Sequence, residues 1–218
     1  MPEHFLAPKD KTCERCGLKR GQSGSITQWI FKDTRINAAR YVFKDEPLSV
    51  MATAVKSSDP RFAEIEETVS ATLVFPENRI ASFVCSFGAA HVQHYEVVGT
   101  EGSISLNPAY EYSTELEYVL KVGDKESKHK TPKRDQFAPE LSHFAECIIE
   151  DKTPRPSGEE GLNDILVIEA IRKSTASDKM EPVGTSSAKS SQPDKSLVEE
   201  KPGVKKPLLV NVKSGSKD

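Results

Sequence analysis

Apolar and polar positions along the chain sort into one helical stretch, a run of alternating segments, and two more helical stretches. Asp33 or Thr34 is placed to cap a helix in which Ile36, Ala39 and Phe43 share a face at i, i+3, i+7 spacing, with Arg40 beside it. Pro47 ends that element. Leu48–Val55 reads as a strand. From Glu67 to Phe75 the pattern alternates, with Val69, Ala71, Leu73 and Phe75 on one face and Thr68, Ser70 and Thr72 on the other. Pro76-Glu77-Asn78 makes a turn, and Arg79–Phe87 returns with Ala81, Phe83, Cys85 and Phe87 opposite Ser82 and Ser86. Val92–Val98 and Ser103–Leu106 flank Gly99-Thr100-Glu101-Gly102 as a second hairpin. Glu115–Val122 and Glu126–Lys130, joined through Gly123-Asp124, form a third.

The two closing helices are predicted over Gln136–Glu150, with Phe137, Leu141, Phe144 and Ile148 as an apolar stripe, and from Ser157 to about Ser174. The second opens with a capping box, Ser157 as N-cap and Glu160 at N3, and carries Leu162, Ile165, Ile168 and Ile171 as its ridge. A helix, several antiparallel strands and two helices make an α+β domain with helices packed on one face of a mostly antiparallel sheet.

The two ends of the chain differ from this middle. Residues 1–34 are polar, basic and without period, a poorly ordered leader apart from the Ile26–Phe31 patch. Residues 179–218 are rich in Ser, Lys, Glu and Pro and contain no Phe, Trp or Tyr. Such composition does not offset its ordering entropy, so this C-terminal tail is expected to be disordered. Leu208-Leu209-Val210 is its one apolar run.

Hydrophobic content is 36 % and net charge −3, so no global field favours nucleic acid or an anionic membrane. No apolar run approaches the ~18 residues that span a bilayer, and the N-terminus lacks a signal-peptide core. A cytoplasmic location is expected. Cys85 and Cys147 sit in apolar contexts as small hydrophobes. Cys13-Glu-Arg-Cys16 is a lone CxxC without the second half of a zinc site. His91, His94 and Glu96 supply too few ligands on one face for a metal, so no metal is assigned.

A nicotinamide cofactor bound in the doubly wound manner needs GxGxxG between a strand and a helix. Gly17, Gly21 and Gly24 have the wrong spacing, so no cofactor-binding and no catalytic residue is assigned in this chain. Arg134-Asp135-Gln136, just before a helix start, is a place where polar groups meet a hydroxylated ligand, or where Asp135 caps the helix. Tyr110 offers a hydroxyl to a sugar or covers the sheet edge. The small uncharged face of Thr68, Ser70, Thr72, Ser82 and Ser86 lacks the Lys and Glu of a solvated sheet. It suits packing against a second copy in a homo-oligomer.

Residues 35–178 resemble the C-terminal domain of the Gfo/Idh/MocA oxidoreductases, glucose–fructose oxidoreductase-like proteins in particular. The resemblance rests on the helix Ile36–Phe43, on Ala81-Ser82-Phe83 with Ser86-Phe87-Gly88, and on Tyr95–Tyr112. It continues through Asp135-Gln136-Phe137, His143-Phe144 and Ser157-Gly158-Glu159-Glu160-Gly161-Leu162-x-Asp164. It implies an open sheet that forms a wall of a sugar or polyol site and supplies oligomer contacts. It also implies hydride transfer with NAD or NADP held on an N-terminal Rossmann domain that carries a catalytic lysine. Relatives usually place an Asp six residues and a His or Tyr two residues before the isoleucine that stands here as Ile36. These positions are Ile30 and Thr34, so neither role carries over. Asp33 and Arg35 lie near that region and join the substrate-facing candidates. The expectation is a truncated substrate-binding and oligomerisation domain, inactive alone. The alternative is a non-catalytic module that associates with itself or with full-length relatives.

Overall fold

A computed structural model describes residues 34–63, 65–90, 92–110, 114–186 and 201–202. The chain forms two units, the second inserted between residues 91 and 155 of the first. Residues 1–33, including Asp33 and the CxxC, lie outside the described residues.

The first unit begins with α1 (Thr34–Phe43), followed by β1 (Ser49–Val55), β2 (Thr68–Val74) and β3 (Ile80–Ser86). Alternation sets the faces as the sequence predicts. β1 and β2 pair antiparallel with Ala52 opposite Ala71, and β2 pairs β3 with Ala71 opposite Phe83. Val50, Ala52, Val69, Ala71, Leu73 and Phe75 are buried on one face. They are joined by Ile36 from α1, and by Val167, Ile168, Ala170 and Ile171 from a long helix introduced below as α3. Removing these aliphatic groups from water is the main stabilising term. Phe43 meets Phe75 edge to face at 4.8 Å. The carbonyl of Phe43, at the end of α1, accepts from Arg79 Nη1 at 2.8 Å while Nη2 bonds Asp45, a cationic cap at a helix C-terminus.

The second unit holds β4 (Tyr95–Val98), β5 (Gly102–Leu106), β6 (Leu116–Val122) and β7 (Lys125–Thr131) in one antiparallel sheet of that order. Gly102 is required by close approach: a Cβ there would lie 1.9 Å from the Lys121 carbonyl oxygen. Gly123, at φ +55°, makes the two-residue turn between β6 and β7. β8 (Arg134–Asp135) follows, then α2 (Phe137–Ile149). The expected stripe of α2 exists but is not core. Phe137, Leu141, Phe144 and Ile148 are 53–70 % exposed, and Cys147 is the one buried residue of the helix.

The chain then returns to the first unit as α3 (Gly158–Ser177). Of its expected ridge, Ile168 and Ile171 are buried and Ile165 is half-buried. Leu162 is exposed, and Glu160, Asn163, Val167, Ile171 and Ser174 face inward with Ile168. Residues 179–186, expected within a disordered tail, are held in place. β9 (Glu181–Pro182) pairs with Ser49 and Val50 of β1, and Val183 packs on the core with its amide bonded to the Leu48 carbonyl. β10 (Lys201–Pro202) pairs antiparallel with β8. The remaining tail residues, 187–200 and 203–218, lie outside the described residues.

The antiparallel α+β class thus stands. The strands fall into two four-stranded sheets, β3-β2-β1-β9 and β4-β5-β6-β7, and the two-stranded pair β10-β8.

Candidate functional site

The sequence-predicted site residues divide between the units. Arg35 belongs to α1, and its Nη1 reaches Cys85 Sγ at 3.2 Å. In the second unit, Arg134 and Asp135 form β8 and Gln136 precedes α2. Asp135 Oδ1 accepts from the amides of Phe137 at 2.9 Å and Ala138 at 3.0 Å. Its carboxylate therefore occupies the first amides of α2, the capping alternative. Tyr110 sits at φ +57° beside the fully buried Ala109, with its ring 5.4 Å from that of Tyr95. Burial pushes the Tyr95 phenol above its ordinary range. Cys147 Sγ lies 3.6 Å from His143 Nε2, one turn apart on α2.

The open face of the β1–β3 sheet is shown by the strand register. It presents Ser49, Met51, Thr53 and Val55 from β1, Thr68, Ser70, Thr72 and Val74 from β2, and Ile80, Ser82, Val84 and Ser86 from β3. None is charged, and Val55, Ile80 and Val84 are more than half exposed. Thr68 bonds Ser86 at 2.7 Å and Thr72 bonds Ser82 at 3.1 Å, so the hydroxyls partly satisfy one another across the strands. The sequence identified the small polar rows of this face but not the apolar Met51, Val55, Ile80 and Val84 between them.

The densest polar cluster was not read from the sequence as one group. Arg40 is 1 % exposed. It bonds Glu46 through Nε at 2.6 Å, Asp164 through Nη1 at 2.6 Å and Glu160 through Nη2 at 2.8 Å. Asn37 donates to Asp164, Asn163 donates to Glu46, and Ser186 donates to Asn163. Ser157 caps α3 by accepting from the Glu160 amide. The Glu160 carboxylate, 2 % exposed, pairs with Arg40 at 2.8 Å. Burial disfavours the Arg40 charge, but the bonds to Glu46 and Asp164 outweigh it and raise its affinity for the proton. Burial dominates at Asp164 and lifts its carboxyl above the ordinary range against the pull of Arg40. The cluster ties α1 to α3 and contains no free nucleophile.

A doubly wound nicotinamide site places the pyrophosphate on open amides at a helix N-terminus. The first amides of α2 are held by Asp135, and α3 begins at Ser157 with Glu159 and Glu160 in its first turn. Neither start suits an anion. Among the described residues, no three His, Cys, Asp or Glu side chains gather to hold a metal. No helix among them is long and apolar enough to cross a membrane.

Residues 34–185 match the model of the oxidoreductase family C-terminal alpha/beta domain, the Gfo/Idh/MocA C-terminal domain. The chain belongs to the Gfo/Idh/MocA oxidoreductase family. Among curated members, it is 29 % identical over 137 residues to a D-xylose 1-dehydrogenase [NADP(+)] of Haloarcula marismortui, covering 62 % of this chain and 38 % of that one. It is 34 % identical over 148 residues to an uncharacterized oxidoreductase of Rhizobium meliloti, covering 64 % of this chain and 43 % of that one. The crystal structure of an aldose-aldose oxidoreductase from Caulobacter crescentus complexed with glycerol superposes with TM-score 0.65 at 28 % identity. That match covers 81 % of this chain and 51 % of the other. The chain thus spans about half or less of the length of these Gfo/Idh/MocA relatives.

Proposed function

We propose that residues 34–186 act as the substrate-binding and oligomerisation domain of a nicotinamide-dependent sugar or polyol oxidoreductase in the cytoplasm, and that this chain has no turnover of its own. The observation that carries this reading is the family match over residues 34–185, joined to relatives named for xylose and aldose oxidation and for NADP. In this reading Arg134, Gln136 and Tyr110 are the sugar-facing candidates of the second unit, Arg35 is a candidate of the first with Asp33 beside it in the chain, and Asp135 serves the helix instead. A second copy covers the uncharged face of β1–β3. The hydride chemistry belongs to NAD or NADP held by a Rossmann domain, and these residues orient the substrate.

The second reading is a non-catalytic module that associates with itself or with full-length relatives. It is favoured by the occupied starts of α2 and α3. Fluorescence titration of the purified chain with NADH and NADPH is expected to show no saturable binding, and tight binding overturns the proposed lack of independent turnover. Light scattering is expected to give a mass above that of one chain, and a single-chain mass overturns the self-association role. Xylose or glycerol binding without cofactor separates the first reading from the second.

A further inference from the structure

We infer that β3 pairs edge to edge with β3 of a second copy, joining two first-unit sheets into one continuous antiparallel sheet across a two-fold axis. This contact is separate from the cover proposed for the open face, and it is made by the backbone rather than by side chains.

The bonding direction of β3 follows from its ends. The Phe87 amide donates to the Glu67 carbonyl at 2.9 Å and the Phe75 amide to the Arg79 carbonyl at 2.8 Å. With Val69 opposite Cys85 and Ala71 opposite Phe83, the odd-numbered residues of β3 therefore bond β2. The backbone N–H and C=O groups of Ile80, Ser82, Val84 and Ser86 point the other way, and β3 is the last strand of its sheet among the described residues.

The other outer strands of the two four-stranded sheets are blunted. β9 is two residues long and includes Pro182. β7 carries Lys125, Lys128 and Lys130. β4 is four residues long and carries Glu96. β3 alone is seven residues long with no charge and no proline, Ile80-Ala-Ser-Phe-Val-Cys-Ser86. Exposed edges normally carry such protection, because bare N–H and C=O groups recruit another strand.

The strand is its own complement. Only a register centred on Phe83 pairs all seven residues with a second β3. It sets Ile80 against Ser86 and Val84 against Ser82 as hydrogen-bonded pairs, about eight bonds across the axis. On the other face it sets Ala81 against Cys85 and Phe83 against its own copy, an aromatic cross-strand pair. Each larger side chain beside the axis pair thus meets a smaller one, and a two-fold contact of one patch with itself is the commonest way for identical chains to associate.

Hydrogen exchange on the full chain tests this residue by residue. At tens of micromolar the amides of Ile80, Ser82, Val84 and Ser86 are expected to exchange roughly tenfold slower or more than after dilution below the dimer's dissociation constant, with α3 unchanged. A dimer whose outward amides exchange at the same fast rate as the diluted chain overturns the inference and leaves the open-face cover standing. Slow exchange that dilution does not alter overturns it too, because the edge is then filled by the chain itself. A single-chain mass at tens of micromolar overturns both contacts. A second variant reads the register. A81C places its thiol opposite Cys85 of the partner subunit in a pair with Cα atoms about 4.5 Å apart, within disulfide reach. Within one strand the same two positions lie about 13 Å apart, too far for a bond. Mild oxidation is expected to give a covalent dimer with A81C and none with A81C/C85S. No covalent dimer with A81C, or one that survives C85S, overturns the register.

Discussion

The two units contain a four-stranded antiparallel sheet each, yet they use their apolar residues differently. In the first, α1 and α3 close over one face, and Val50, Leu73, Val167 and Ile171 are fully buried. In the second, Ala109 and Cys147 are the only buried hydrophobic residues among those described, and the ridge of α2 is more than half exposed. Sheet pairing alone therefore does not make a core; a second layer does. The first unit has that layer within the described chain, whereas the apolar residues of the second are mostly exposed.

The sharpest way to break this contrast is at the charged cluster that fastens the first unit's helices. Arg40→Leu removes the buried cation shared by Glu46, Glu160 and Asp164, and a loss of about 3–5 kcal/mol is expected in chemical unfolding. A loss below about 1 kcal/mol would mean that α1 and α3 are held by packing alone. Next is a matched pair. Leu73→Ala is expected to cost about 2–5 kcal/mol through transfer and cavity terms. Val122→Ala on the half-exposed β6 is expected to cost under about 1 kcal/mol. Equal losses would erase the contrast by showing that β6 is covered in solution.

Ser174→Ala comes third. Ser174 Oγ donates to the Lys179 carbonyl at 2.6 Å and accepts from the Ala52 amide at 2.8 Å. Its removal leaves both buried groups without a partner, and a loss of about 1–3 kcal/mol is expected, read as a lower denaturation midpoint. The smallest effect is in pH. Asp164 has a folded-state pKa raised above its ordinary 3.8, so the folded state binds more protons between 3.8 and the raised value. Wild type should gain stability relative to Asp164→Asn as pH falls through that window, with a flat difference above it. A difference that shrinks on acidification instead would show that Arg40, and not burial, governs this carboxyl.

What was legible in the sequence was periodicity. The spacing of Ile36, Ala39 and Phe43 gave the inward face of α1, and alternation gave the buried row of β2 and the half-buried inward row of β3. Periodicity locates an apolar stripe but not its burial, so Phe137, Leu141, Phe144 and Ile148 read as one stripe and are each more than half exposed. On α3 the ranking of residues by hydrophobicity favoured Leu162. The inward ridge contains Glu160, Asn163 and Ser174, whose burial depends on partners 120 or so residues away, as with the 124-residue separation of Arg40 and Asp164. Composition placed residues 179–186 in the tail, because no local signal announces that Glu181 and Pro182 meet an open strand edge. Of the site, Asp135 was legible as a capping residue, and the uncharged face was legible through its Ser and Thr rows.

That edge has a consequence for solubility. β9 pairs with β1 only at Ser49 and Val50, and the next outward amide, at Ala52, is taken by Ser174 of α3. An unfinished strand edge is a template for another chain's backbone. One hydroxyl, placed from a helix, closes the ladder where the short strand stops. Ser174 therefore guards against strand exchange between molecules: its loss would show first as slow, concentration-dependent aggregation.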